Sequence, residues 1–143
     1  VGLFTAFSCM AEVYLTLWEE AAAESGDAWQ MQALALQGVE MLERYGRFNP
    51  EGKPRALTYR GWSNWLLGKK RSARQLWQQA LDMGIELDMP YEQGMAALEI
   101  GRHLLPASEA AQYLQQALTI FRRLGAMYEV GRVRVLLADQ AIE

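Results

Sequence analysis

The two side chains best suited to chemistry are His103, the one histidine of the chain, and Glu99, four residues before it. On a helix this spacing puts the carboxylate and the imidazole on one face, where the pair can bind a metal ion or share a proton. A zinc site needs three or four ligands, and two on one helix do not supply them. We therefore expect His103 to be a surface or groove histidine with no metal-binding or catalytic role.

Other chemistries have no better support in the sequence. Gly61, Gly68, Gly94 and Gly101 occupy separate helix positions, so they do not form a phosphate-cradling loop. No neighbouring residue would activate any of the five serines as a nucleophile. These are Ser8, Ser25, Ser63, Ser72 and Ser108. We predict that the chain is not an enzyme and holds no cofactor.

Composition limits the remaining classes of protein. With 143 residues, of which 51% are hydrophobic, the chain can bury a sizeable core without metals or disulfides. Cys9 is the one cysteine, which excludes an intramolecular disulfide, fits a reducing cytoplasmic setting and is expected to be buried. The net charge of -3 argues against nucleic acids and anionic membranes as partners. No apolar run reaches the roughly 20 residues of a membrane span.

The first residues read as a helix rather than a targeting signal. The apolar stretch 1–7 has no basic residue before it, and its pattern continues past Glu12. The chain also lacks an initiator methionine. We expect it to be a fragment of a larger multidomain protein.

Apolar residues at steps of three and four predict a first helix from Leu3 to Ala23. Its expected packing stripe is Leu3, Phe7, Met10, Tyr14, Leu17 and Trp18. Asp27 is a suitable N-cap for a second helix, which Gly46 and the pair 49–50 would end. The periodic residues of that helix are Met31, Leu34, Ala35, Leu42 and Tyr45.

Five further helices are predicted, and no segment alternates with the period of a strand. Their expected ranges are 54–68, 72–83, 90–104, 106–124 and 127–142. Pro54 and Pro90 suit first turns, where a missing N–H is not needed. Gly68 is expected at a turn and Gly84 at a C-cap.

An internal repeat relates the later helices at an offset of 37 residues. Ala73, Gln78, Gln79, Ala80 and Leu81 fall on Ala110, Gln115, Gln116, Ala117 and Leu118, and Tyr91, Glu92 and Gly94 fall on Tyr128, Glu129 and Gly131. Repeats of this length made of helix formers indicate stacked helical hairpins. We predict a single all-α domain over residues 1–143: a right-handed α-solenoid of three antiparallel hairpins and one unpaired helix.

Residues 54–87 resemble a tetratricopeptide repeat. Small Gly61 stands where the two helices of such a unit approach closely, and Ala73, Trp77 and Ala80 follow the small, aromatic, small order of its second helix. The spacing is 37 rather than the usual 34 residues of that repeat. Asn64 takes a place usually held by an aromatic residue, and the next unit has Leu98 and Leu105 in place of the expected glycines.

A narrower resemblance covers residues 54–131. It is carried by the segments 54–57, 61–62, 65–66, 89–92, 101–104 and 124–126. These resemble the C-terminal repeat region of bacterial signalling proteins that pair a class III adenylate/guanylate cyclase with an AAA-type ATPase. Similar arrays end the maltose-activator-like regulators. The resemblance implies that the cyclase and ATPase domains lie outside this chain.

The resemblance also implies a concave binding surface along the first helices of successive repeats. Its expected residues are Arg55, Thr58, Trp62 and Trp65, then Glu92, Met95, Glu99, Arg102 and His103, then Glu129, Arg132 and Asp139. Aromatic and charged side chains together suit recognition. The alternative is that Trp62 and Trp65 are core residues.

The sequence leaves three functions open. The first is a non-catalytic module that binds a protein or peptide, or another domain of the same chain; the second is a small-molecule sensor, and the third, least supported, is an enzyme. The basic run 69–71 with Arg74 is either a solvated loop or a patch for an acidic partner. We also expect self-association through end helices, because Phe4 and Phe7 at one end and an apolar set at the other lack covering helices. That set is Val130, Val133, Leu136 and Leu137.

Overall fold

The computed structural model describes residues 2–24, 28–103 and 106–141. Within these ranges the chain contains seven α-helices, one 3-10 turn and no β-strand, which confirms the all-α prediction. The helices are α1 (Gly2–Ala23), α2 (Trp29–Phe48), α3 (Lys53–Leu66), α4 (Lys70–Glu86), α5 (Pro90–His103), α6 (Ala107–Leu124) and α7 (Met127–Gln140), and the 3-10 turn is Pro50–Gly52. None of the described helices is both long and apolar enough to cross a bilayer.

The helices form two compact units, Val1–Leu76 and Trp77–Glu143, with the boundary inside α4. In the first unit α1 packs along α2, and α3 packs against both. In the second unit α6 packs against α5 on one side and α7 on the other. The expectation of a single domain stays a prediction.

Helix α1 packs through a different face from the one we predicted. The buried residues are Ser8, Ala11, Leu15 and Trp18, of which only Trp18 belongs to the predicted stripe. Leu3 is 64% exposed, and Cys9, expected to be buried, is exposed. The reason is the close approach of α2: a Cβ on Gly38 would lie 3.0 Å from the Ala11 Cα. Small residues let the two helices close, and this determines which face of α1 is buried.

Polar contacts fix α3 within the first unit. The Tyr59 hydroxyl donates a hydrogen bond to Glu12 Oε2 on α1 at 3.1 Å. Arg60 donates two hydrogen bonds to the Glu43 carboxylate on α2, at 2.7 and 2.6 Å. Burial is the main cause that holds the pKa of the Tyr59 hydroxyl far above its usual value, so this group remains a donor.

The turns follow the predicted positions in part. Pro54 lies in the first turn of α3, Pro90 begins α5, and Gly68 adopts the left-handed φ of 78° after α3 ends at Leu66. Gly84 is not a C-cap, because α4 continues past it to Glu86 and turns at Asp88, where φ is 51°. The predicted cap Asp27, and the predicted helix ends Leu104 and Ile142, lie outside the described residues.

Gly46 and Gly84 lie inside helices because each meets a neighbouring segment. A Cβ on Gly46 would lie 3.3 Å from Lys53, and one on Gly84 would lie 3.1 Å from Gln93. The Gln93 amide also donates a hydrogen bond to the Gly84 carbonyl at 3.0 Å. Close approach, rather than helix termination, therefore accounts for these two glycines.

The 37-residue offset is also present in the helix boundaries. α4 and α6 begin at Lys70 and Ala107, and α5 and α7 share both ends at this offset, with Pro90 matching Met127 and His103 matching Gln140. The paired small residues Ala73 and Ala110, and Ala80 and Ala117, are all fully buried. The repeat read from the sequence is therefore a repeat of helix position and of burial.

The last helix is partly covered, contrary to expectation. Val130 and Val133 are buried, since α7 packs these residues inward beside α6. Leu136 and Leu137 are half-buried. The large apolar residues of α7 that are mainly exposed are instead Met127, Tyr128 and Val135.

Candidate functional site

The predicted surface residues of the first unit lie on α3, mostly inside. Arg55, Thr58 and Trp62 are buried, which confirms the core alternative for one of the two tryptophans. Trp65 is half-buried, with the Lys70 ammonium 5.0 Å from the centre of its ring. The Arg55 guanidinium lies 5.6 Å from the ring centre of Phe4. This arrangement fills space inside the unit.

The predicted residues of the second unit lie on α5 and α7. Glu92, Met95 and Glu99 are buried, whereas Arg102, His103, Glu129 and Arg132 are half-buried and Asp139 is exposed. Tyr91, which precedes the predicted set, donates a hydrogen bond to Glu129 Oε1 at 2.6 Å and so links α5 to α7. Arg102 and Arg132 are the two arginines of this part of the set, and both are partly accessible to solvent.

Glu99 is the electrostatic centre of this group. Its side chain is 1% exposed, and its Oε2 lies 3.4 Å from Arg102 and 3.5 Å from His103 Nε2. Burial alone would raise the pKa of the Glu99 carboxyl, but the charge of Arg102, the contact with His103 and the charge of Arg132 together outweigh burial and lower that pKa below its usual value. Glu99 is therefore a buried anion that contacts Arg102 and His103 at the end of α5.

His103 is held from its other face by Trp77 of α4. The two rings stack with centroids 5.1 Å apart and planes 6° from parallel. From the sequence, Trp77 was expected only to be a packing residue. Nothing in the sequence indicated that it contacts His103. Because the imidazole lies between an indole face and a carboxylate, it has a fixed orientation.

A cavity of about 250 Å³ opens beside this cluster, between α5 and α7. Its lining residues are Arg102, Arg132, Val135 and Leu136. The two arginines belong to the predicted surface, whereas Val135 and Leu136 were not assigned to it. Leu136 follows Arg132 by one helical turn, so the helical spacing placed it on the same face.

The cavity suits a ligand that is anionic at one end and apolar at the other. Arg102 and Arg132, which both carry a positive charge, line it together with two aliphatic residues. Arg132 also lies 5.9 Å from the ring centre of Tyr128. Guanidinium groups bind carboxylates through paired, charge-assisted hydrogen bonds, and the aliphatic wall contributes apolar contact. None of the four lining residues has a nucleophilic side chain.

Among the described residues, no three side chains of His, Cys, Asp or Glu lie close enough together to hold a metal ion. No family model, curated protein or solved structure matches this chain.

Proposed function

We propose that the chain is a non-catalytic helical-repeat module that binds a protein partner, or another domain of its own polypeptide, through the cavity beside Arg102 and Arg132. The architecture that we propose is a tetratricopeptide-like α-solenoid. The shared register of α4 with α6, and of α5 with α7, supports this proposal. The motifs over residues 54–131 support a place in a bacterial signalling protein linked to a cyclase and an ATPase.

One observation carries the binding proposal: Arg102 and Arg132 come from neighbouring repeats and converge on one cavity with an aliphatic wall. A surface formed by two repeats changes shape when the repeats move relative to each other. A bound anion would therefore favour the arrangement that keeps both guanidinium groups close together. Binding of this kind couples ligand recognition to the curvature of an array.

The size of the cavity favours a peptide over a small molecule. Pockets that enclose drug-sized ligands measure roughly 300–1,000 Å³, whereas this cavity measures about 250 Å³. It holds one carboxylate with a neighbouring aliphatic side chain, and the rest of the ligand lies outside. We therefore propose a peptide segment in which Leu or Val adjoins an acidic side chain or a free C-terminus. A small-molecule sensor is the second candidate.

The test uses short peptides in matched pairs that differ only in the carboxylate. Each peptide carries Leu or Val beside Glu, Asp or a free C-terminus, and its partner has Gln, Asn or a C-terminal amide. Calorimetric titration of the full chain should give binding for the acid form and much weaker binding for the amide. Equal binding of both forms would overturn the peptide proposal. Tighter binding of succinate or another small carboxylate than of any peptide would favour the sensor.

A further inference from the structure

One stripe of residues on α5 indicates which groups the stripe at the equivalent repeat positions of α7 would contact. The α5 stripe is Tyr91, Gly94, Leu98 and Gly101. Both helices of the following hairpin cover it. Phe121 of α6 lies so close to Gly94 that an added Cβ would be 2.7 Å from its ring, and Leu114 is equally close to Gly101. From α7, Glu129 accepts the hydrogen bond of Tyr91.

At the repeat offset, the same stripe on α7 is Tyr128, Gly131, Val135 and Ala138, and all four are exposed. Tyr128 is 73% and Val135 61% exposed, whereas Leu98, the counterpart of Val135, is fully buried. Among the described residues, a Cβ on Gly131 would meet no atom within 4 Å. The space that Phe121 fills at Gly94 is therefore open at Gly131.

No contact within the described part of the chain explains the glycine at position 131. It lies in the middle of α7, where glycine weakens a helix relative to alanine. Its φ is not in the left-handed region, and no neighbour demands the absence of a side chain. In the preceding repeat, the same position needs glycine because an aromatic ring from the next hairpin presses on it. This comparison indicates that a ring also docks on Gly131.

We infer that the α7 stripe is a docking surface for another helical hairpin with the repeat chemistry of residues 107–140. Such a hairpin places an aromatic ring on Gly131 and a carboxylate at the Tyr128 hydroxyl. The Arg132 guanidinium beside the Tyr128 ring adds a positive charge that attracts this carboxylate. The stripe shares Val135 with the lining of the cavity, but this inference does not rest on the proposed peptide-binding role.

The occupant is a separate hairpin and not a second copy of this chain. Phe121, Leu114 and Glu129 are the groups that would make the contacts, and in each copy they already cover α5. A lone helix is also insufficient, since the ring and the carboxylate that cover the α5 stripe come from two different helices. The α7 stripe therefore needs a hairpin whose own face is uncovered.

The test adds such a hairpin to the full chain. In the extended variant, residues 1–140 are followed by a second copy of 104–143, which preserves the 37-residue register. Hydrogen exchange of the α7 amides should slow by about tenfold or more, and the thermal midpoint should rise. Unchanged exchange in α7 would overturn the inference, whether or not the added helices form.

Point substitutions identify the contacts. Gly131→Ala should abolish the slowing in the extended variant, whereas Gln116→Ala, at a position exposed in both repeats, should preserve it. In the extended variant, Tyr128→Phe combined with Glu→Gln at the second copy of Glu129 should reduce the slowing of hydrogen exchange by no more than either substitution does alone. If the two substitutions reduced the slowing of exchange by fully additive amounts, that result would contradict the predicted hydrogen bond. Dimerisation of the unextended chain that Gly131→Trp abolishes would assign the stripe to a second copy and overturn the inference.

Discussion

Trp77 and His103 stack nearly parallel, with ring centroids 5.1 Å apart, and the stack holds His103 Nε2 3.5 Å from the buried Glu99 carboxylate. The same nitrogen lies 3.3 Å from the Arg102 guanidinium. One aromatic face, one anion and one cation thus fix the end of α5 where the cavity opens. The position of Arg102 at the cavity therefore depends on Trp77, His103 and Glu99, which do not line the cavity.

Replacing Glu99 by Gln should destabilise the fold by about 3 kcal/mol near neutral pH, because removing one partner of a buried ion pair leaves the other without compensation. Urea unfolding of both proteins measures this loss. Glu40→Gln is the control, since the Glu40–Arg44 pair is exposed, and its midpoint should not change. Equal midpoints for Glu99→Gln and the parent would show that Glu99 does not hold this cluster.

The loss caused by Glu99→Gln should also depend on pH. The folded protein lowers the pKa of Glu99, so the carboxylate contributes stability above its unfolded pKa of about 4.3. That contribution disappears as the pH falls through the lower folded pKa. The difference in unfolding free energy between parent and variant should therefore shrink below about pH 4. A difference that stays constant as the pH falls through this range would contradict the assignment of a stabilised anion.

Tyr59→Phe should lower the free energy of unfolding by about 1 kcal/mol, because it removes a partly buried hydrogen bond and leaves the ring in place. Tyr45 provides a matched control: its hydroxyl bonds Glu51 at 3.3 Å on the surface. Tyr45→Phe should leave the unfolding midpoint unchanged. If the two variants unfold alike, the bond between α1 and α3 does not stabilise the first unit.

Ala80→Trp and Ala117→Trp should each lower the free energy of unfolding by roughly 1–3 kcal/mol or more, since both alanines are fully buried. The neighbouring Gln79 and Gln116 are exposed, so the same substitution there should be nearly silent. Thermal unfolding of the four variants tests the repeat, because the two alanines should behave alike. Similar midpoints for the alanine and glutamine variants would place these alanines outside tight interfaces.

Gly94→Ala and Gly131→Ala should shift stability in opposite directions. The first places a methyl group against the buried Phe121 ring and should cost about 1–3 kcal/mol. The second adds a methyl group in open space within a helix and should gain about 0.5–1 kcal/mol. Chemical denaturation of both variants measures the contrast. A loss at Gly131 as large as that at Gly94 would mean that the α7 stripe is already covered.

The sequence was most informative where the repeat imposes one pattern twice. The offset of 37 residues predicted the shared register of α5 and α7, and the spaced alanines predicted their own burial. It was least informative for α1, where apolar residues lie on two faces and the close approach of Ala11 to Gly38 decides between them. Such a choice depends on the partner helix, which periodicity within one helix does not describe.

Two of the four residues that line the cavity were among those expected on a binding surface, and two were not. Arg102 and Arg132 were both expected on a binding surface, and both line the cavity. Val135 and Leu136 resemble packing residues in sequence, because an aliphatic side chain looks the same whether it faces a core or a cavity. The burial of Glu99 was also missed, since a carboxylate with two cationic neighbours resembles an exposed helix pair.

The most direct measurement compares two double variants in their affinity for an acidic peptide that binds the parent. Arg102→Gln with Arg132→Gln removes both guanidinium groups of the cavity, and Arg122→Gln with Arg123→Gln removes the same charge from the exposed end of α6. We predict that the cavity variant loses about tenfold to a hundredfold in affinity, as expected when charge-assisted hydrogen bonds are removed. The α6 variant should stay within about twofold, the small effect expected of distant, screened charges. Equal losses in both would show that the peptide responds to net charge alone, and would contradict the assignment of the binding site to this cavity.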